Sequence, residues 1–546
     1  MVELRAPTEQ QLRIRRRRFL ALSAMIVLVV AVFVLVLALS ESSGPAPPAE
    51  GAAEVVPADA LAYVHLSTDP GRGSVRQALA VARRLPGFAG LADGVGARLA
   101  AIAGGSSSAS YQAQLRPWLG REVALAFLDT PNATAESLLV LGVAKPSLAR
   151  AFVTRAGAID SGSYRGVPVL RYPSGSVLAF EKHYLVVGSD AGVRTSIDVA
   201  SGALGSLAGD SSYKRAMGGQ PAARVLEAYA SASGLRRVLG AQSGMVGALA
   251  PLLFSPALDG VSAAISPSAE GTSIRVHSVL NPQLARLGGG PRRSFEPTLT
   301  RIIPAGSPLV LDLQGLDRAA PRLLGVASAA GVGTQIRPLL LRLGSALVAE
   351  GVNLPALQAI FHGETAVAVT PAPSLARPPS LTIVARTGDQ ARAAEQLASL
   401  EVPLAQLFSA PAEGAGQAPV FNDRQVAGIT AHELSLTPGL QLSYAVFHGL
   451  VVISTSLDGI AAIATSRHAI ADEQEFRVAL SARPSRIGSL LFLDFSQLLS
   501  LGEQTGITRG GSIASLLPDL QRIHAVGLST TSGEDDSTAE LTLQIP

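Results

Sequence analysis

Hydrophobic positions are arranged in two ways along this chain. From Phe19 to Leu39 they form one uncharged run of 21 residues, rich in Val, Leu, Ala and Ile and free of Pro and Gly. At 1.5 Å rise per residue such a run reaches about 30 Å, the thickness of bilayer hydrocarbon, and it predicts a transmembrane helix over 19–40. From residue 56 onward the apolar residues fall instead into short clusters separated by Gly, Pro, Ser and Asp. Pro146 stands where a first helical residue would, with Leu148 and Phe152 four apart behind it. Ser74-x-x-Gln77 has the form of a capping box ahead of 78–85, and Asp190 is the expected N-cap of a helix over 192–199. Runs at 177–180 and 184–187 flank Glu181-Lys182-His183 and predict a hairpin. The long apolar stretch 234–254 reads as helical cover.

These clusters recur in order. Val56-Pro57-Ala58 with the strand-like 61–66 parallels Ile303-Pro304-Ala305 with 309–313, a spacing of 247. Arg121-Glu122-Val123-Ala124 parallels Gly363-Glu364-Thr365-Ala366, a spacing of 242. The strand-then-helix blocks 138–156 and 381–400 correspond, as do 259–279 and 524–545. His183-Tyr-Leu-Val-Val parallels His448-Gly-Leu-Val-Val at a spacing of 265, which places the two histidines at equivalent positions. Five blocks in the same order predict one plan used twice. The expected organisation is a cytoplasmic basic tail (1–18), a transmembrane helix (19–40), a Pro/Gly/Ser linker (41–55), a first domain (56–285), a Gly-rich linker (286–302) and a second domain (303–546). The mixture of local signals predicts α+β, two related sheet-plus-helix domains with helices mainly on one face of each sheet. Differing spacings put insertions in loops such as 409–419.

Composition and charge sharpen this picture. The chain has 546 residues, 48% hydrophobic and 16% charged, so the body can bury a sizeable core in more than one domain. The absence of cysteine excludes disulfides, thiolate metal sites and thiol nucleophiles, and is compatible with an exported body held by packing. The formal charge of +3 resides in the tail. Residues 1–18 hold six arginines and two glutamates, a surplus of four, which leaves the rest near −1. No nucleic-acid-binding body is indicated. Arg13, Arg15, Arg16, Arg17 and Arg18 stand directly before Phe19, and the positive-inside rule then places the amino terminus in the cytoplasm and the body outside. A cleaved signal peptide ending near Ala38-Leu39-Ser40 is the rival reading, although such apolar regions are usually shorter. Both readings export the body.

Catalytic and cofactor motifs are absent. The only lysines, Lys145, Lys182 and Lys214, are not preceded by glycine, so there is no phosphate-cradling loop. Gly94-Val-Gly96 and Gly331-Val-Gly333 lack the third glycine of a dinucleotide loop and read as turns. His432-Glu433 has no second histidine four residues on, and the eight histidines show no ligand spacing, so neither cofactor nor metal is expected. Ser211-x-x-Lys214 has the form found in penicillin-recognising enzymes without its companion motifs, and Tyr213 reads as the apolar residue common to both copies, opposite Phe476. Glu122 and Glu364 recur at the start of the same strand, which reads as a fold-stabilising hydrogen bond or a solvated strand start, since a general-acid role would need a second carboxylate converging on each. Asn132-Ala-Thr134 is a glycosylation sequon in form, and the single Trp118 reads as a core anchor.

The blocks Val56-Pro57-Ala58-Asp59, Ala144-Lys145-Pro146, Tyr164-Arg165-Gly166-Val167-Pro168 and Leu185-Val186-Val187-Gly188-Ser189-Asp190 resemble a membrane-anchored bacterial family known as the domain of unknown function 3352 family. That resemblance implies an exported, anchored protein and no established activity, and it supplies no catalytic residues. The expected function is a single-pass, non-enzymatic extracytoplasmic binding or envelope module whose protein or apolar partner is unidentified. The alternatives are a carrier or sensor of an apolar ligand and an unrecognised hydrolase.

Overall fold

The computed structural model describes residues 48–104, 110–129, 136–240, 257–268, 270–287, 294–316, 359–371, 379–407, 420–437, 440–505 and 517–546. The arginine block Arg13, Arg15–Arg18, the run from Phe19 to Leu39, the sequon at 132–134, the Gly331/Gly333 pair and the insertion at 409–419 lie outside these residues. No helix among the described residues is long and apolar enough to cross a membrane. The chain is α+β and divides into two compact units, Met1–Ala241 with Leu258–Leu280, and Gln242–Ala257 with Asn281–Pro546.

The first unit contains β1 (Ala62–Ser67), β2 (Leu119–Leu128), β3 (Glu136–Val143), β4 (Ile159–Tyr164), β5 (Val167–Arg171), β6 (Val177–Glu181), β7 (Tyr184–Gly188), β8 (Leu226–Ser231), β9 (Leu258–Ser268) and β10 (Gly271–Leu280). Their antiparallel pairings give the order β10-β9-β8-β1-β2-β3-β7-β6-β5-β4. The second unit contains β11 (Leu309–Gln314), β12 (Glu364–Thr370), β13 (Ser380–Arg386), β14 (Phe421–Val426), β15 (Ile429–Thr437), β16 (Leu440–Phe447), β17 (Leu450–Ser454), β18 (Ser489–Asp494), β19 (Ala525–Ser532) and β20 (Asp536–Gln544). Its order is β20-β19-β18-β11-β12-β13-β17-β16-β15-β14, the same succession with each number raised by ten.

Side-chain alternation along the strands defines two interiors in the first unit. Val123, Leu125, Leu139, Leu141, Leu185 and Val187 point to one face. There they meet the helices Gly73–Ala82, Phe88–Ala103 and Pro146–Arg155. Ala124, Ala126, Leu138, Val140, Tyr184 and Val186 point to the other face, under the turn Gly51–Val55 and the helices Asp190–Ala200 and Ser211–Gly218. The sheet is therefore covered on both faces, not mainly on one. The physical reason is legible in β1, which is buried at every position and so needs cover above and below. Two clusters likewise flank the second sheet, one around Val310, Ala366 and Phe492, the other around Ala385, Leu397 and Val451.

Helix starts follow local chemistry with small displacements from expectation. Pro146 is the first helical residue, as its missing N–H and fixed φ favour. Ser189, one residue before Asp190, is the N-cap, and its hydroxyl accepts from Gly192 N. Arg72 precedes the helix Gly73–Ala82 without a side-chain cap, so the Ser74/Gln77 pair lies inside the helix and forms no capping box. Gly94 and Gly96 fall within the helix Phe88–Ala103, not in a turn. Trp118 is buried against Phe152, ring centroids 5.4 Å apart.

Candidate functional site

Three central strands of the first unit bring together a group of ionisable side chains. His65 lies in the middle of β1, opposite Ala124 of β2 and Glu227 of β8. Glu122 is two residues before Ala124 and so shares its face. His65 is 1% exposed, and its Nε2 lies 3.2 Å from Glu122 Oε2 while its Nδ1 lies 3.3 Å from Glu227 Oε1. Both contacts are at ion-pair distance without hydrogen-bond alignment. Glu122 also accepts from Ala52 N at 3.1 Å and from the Tyr184 hydroxyl at 2.6 Å. Arg224 donates to Glu227 and to Glu50, and to the Pro221 carbonyl at 3.1 Å. Tyr63 stacks at 6.3 Å on His65 and meets Tyr213 edge-on at 6.0 Å.

Burial by itself lowers the His65 pKa, but Glu122 and Glu227 outweigh it and raise it to about 9, so the ring is an imidazolium at neutral pH. Burial by itself raises Glu122 and Glu227. The adjacent His65 reverses this for both, helped by Tyr184 and the Ala52 N–H at Glu122 and by Arg224 at Glu227, and both stay below the ordinary carboxylate value. Burial and the nearby Tyr213 and Glu227 push Tyr63 well up. The interior thus holds two cations and two carboxylates, with Glu50 closing the outer end.

The second unit departs from this at equivalent register positions. Gln314 pairs with Glu364 as Ser67 pairs with Glu122, which aligns Asp312 with His65 and Leu490 with Glu227. Glu364 accepts from Thr298 N and Oγ1 at 2.5 Å each, Leu299 N at 2.6 Å and Arg386 Nε at 3.1 Å. Asp312 is 0% exposed, and neither carboxyl oxygen has a well-aligned hydrogen-bond partner. Burial, then Glu364, push its pKa up to about 9 against the pull of Arg386, so Asp312 is a neutral acid at pH 7. The recurrence of Glu122 and Glu364 was legible in the sequence. The groups facing them were not, because their partners lie on strands distant in the chain.

Other sequence candidates separate in space. Ser211 and Lys214 are exposed on the helix Ser211–Gly218, while Tyr213 and Phe476 are buried, as their apolar role predicts. His432 lies on β15, not on a helix; its Nδ1 sits 2.9 Å from Asp423 and 3.2 Å from Glu401, and the ring stacks on Tyr444 at 4.6 Å. His183 and His448 are not equivalent. The pairs Glu181–Tyr184 and Phe447–Leu450 close the two hairpins, which aligns His448 with Lys182. Both of those residues have positive φ, 49° and 50°. No group of three or more potential metal ligands occurs among the described residues.

The fold and these clusters define an α+β protein of two units with ten described strands each, the first centred on a buried group of opposed charges and the second on the buried neutral acid Asp312 beside Glu364. The chain belongs to the protein of unknown function family DUF3352, whose match covers residues 20–545. No curated protein matches. Among solved structures, crystal forms IV and III of TP0453 are similar to 42% and 43% of this chain and to 81% and 83% of their own, at 11% and 13% identity and a TM-score of 0.23 in each case.

Proposed function

We propose that this protein is a single-pass, membrane-anchored extracytoplasmic module that acts by binding or organising rather than by catalysis. Its body is read as an internal duplication of one ten-stranded α+β plan. The observation that carries the non-enzymatic reading is the state of the strongly perturbed ionisable groups. Catalytic acids and bases need perturbed pKa values and access to a substrate atom. His65, Glu122, Glu227 and Asp312 have the first but are buried, and the charged members neutralise one another. The anchoring reading is supported by the arginines at 13 and 15–18 immediately before the uncharged run from Phe19 to Leu39. The shared strand order supports the duplication.

The anchor is tested by extracting membranes at alkaline pH and weighing the retained chain by mass spectrometry. The expected result is a membrane-retained chain that still contains residues 1–39. Release into the supernatant, or a mature chain starting after Leu39, would replace the anchor with a cleaved leader.

A further inference from the structure

The near-neutral body conceals a polarised first unit. One cover of its sheet is built from the helices Gly73–Ala82, Phe88–Ala103 and Pro146–Arg155 and the turn Tyr111–Leu115. Residues 70–104, 110–118 and 144–158, which supply it, contain eight arginines and Lys145 against one carboxylate, Asp93. The opposite cover, residues 48–58, 189–201 and 206–218, contains five carboxylates against three cations. On the basic cover Arg83, Arg98, Arg116, Lys145, Arg150 and Arg155 are exposed, and none forms an ion pair among the described residues. Among these cations stand large aliphatic side chains in water: Leu91 at 45% exposure, Ile102 at 42% and Leu148 at 43%.

We propose that this helical cover of the first unit docks on an anionic lipid bilayer. Clustered cations with protruding aliphatic side chains are the composition of an interfacial membrane surface: the charges meet lipid phosphates while the leucines and isoleucine enter the headgroup boundary. A surface for single-stranded nucleic acid would offer exposed rings for base stacking. Here Phe88, Tyr111, Trp118 and Phe152 are all buried instead. In the second unit the described segment 388–407, which follows β13 as the Pro146–Arg155 helix follows β3, carries three carboxylates against one cation. The proposal rests on the anchoring reading for its bilayer.

A chain without cysteine allows a single environment-sensitive fluorophore to be placed by Leu91→Cys, with Leu204→Cys, also exposed, as the reference. The full chain is reconstituted in phosphatidylcholine vesicles with or without phosphatidylglycerol. The expected result is a blue shift and quenching by lipid-borne quenchers at position 91 only, only with phosphatidylglycerol, and reversed near about 1 M salt. Arg98→Glu and Lys145→Glu should each weaken the response by about five-fold or more. A position 91 that stays in water with both lipids, or a response at 204 equal to that at 91, would overturn the proposal. So would binding of acidic polypeptides without any response to anionic vesicles. Flotation with neutral vesicles separates the two readings, because it reports the anchor whatever the label does.

Discussion

At the scale of single residues, the two interiors show what buried charge costs and how it is offset. An imidazolium or carboxylate taken out of water is stable only with close opposite charge and hydrogen bonds. His65 between Glu122 and Glu227 meets that condition, so its removal is more damaging than the loss of its packing. His65→Leu leaves two buried carboxylates facing each other and should destabilise the first unit by about 3–5 kcal/mol. Trp118, the only tryptophan, lies in that unit, and its emission during urea unfolding reads the loss directly. Glu364→Gln should cost less, about 1–3 kcal/mol, because an amide oxygen still accepts one of the Thr298 and Leu299 N–H groups.

The same groups fix the pH dependence. His65 is raised to about 9, so the native state keeps a proton that the unfolded chain releases near 6.5. Its contribution, on the order of 3 kcal/mol, is complete below that ordinary value and lost as pH rises through about 9. Asp312, also raised to about 9, is protonated in the native state where the unfolded carboxyl, near 3.8, is ionised, so the second unit also weakens as pH rises. Glu122 and Glu227 are lowered and lose their contributions in acid. Denaturation midpoints measured from pH 5 to 10 should therefore fall on the alkaline side. Asp312→Asn should be nearly neutral at low pH and should flatten the slope of the second unit alone. An unchanged slope in that variant would contradict a protonated Asp312. Glu122 and Glu364 were visible in the sequence as repeated residues. His65 and Asp312 were not, because an imidazole and a carboxyl at one register position share no pattern that repetition could reveal.

At the scale of elements, turns and close approaches separate two kinds of glycine. Gly166 and Gly428 close hairpins at φ of +82° and +79°, with nothing within 4 Å of an added Cβ. Gly527 on β19 lies against the Ala479 carbonyl, where a Cβ would approach to 2.2 Å. Gly166→Ala should cost about 1 kcal/mol in backbone strain alone, whereas Gly527→Ala forces helix and strand apart and should cost more. Thermal melts of the two variants rank them. The Tyr164-Arg165-Gly166-Val167 turn and the Pro146 helix start were legible because each has a local cause. The His183–His448 match failed by one residue because two short turns between similar Leu-Val-Val strands align equally well by letters, and only the ladder fixes the register. The second helical layer was missed for a related reason: a run buried on both faces shows no alternation from which a face could be assigned.

At the scale of the whole molecule, two units with one strand order follow a segment whose charge and hydrophobicity read as an oriented anchor. A net charge near zero for the body described neither unit, since one cover of the first sheet is strongly basic and the other mildly acidic. Composition gave the average, and only the fold sorted the charges by face. The account stands on the body lying outside the membrane with residues 1–18 inside. A membrane-impermeant maleimide applied to intact cells tests this most directly, using the full cysteine-free chain with Leu204→Cys in the body or Thr8→Cys in the tail. The account predicts labelling at 204 in intact cells and at 8 only after the cells are opened. Labelling at 8 with protection at 204 in intact cells would contradict it.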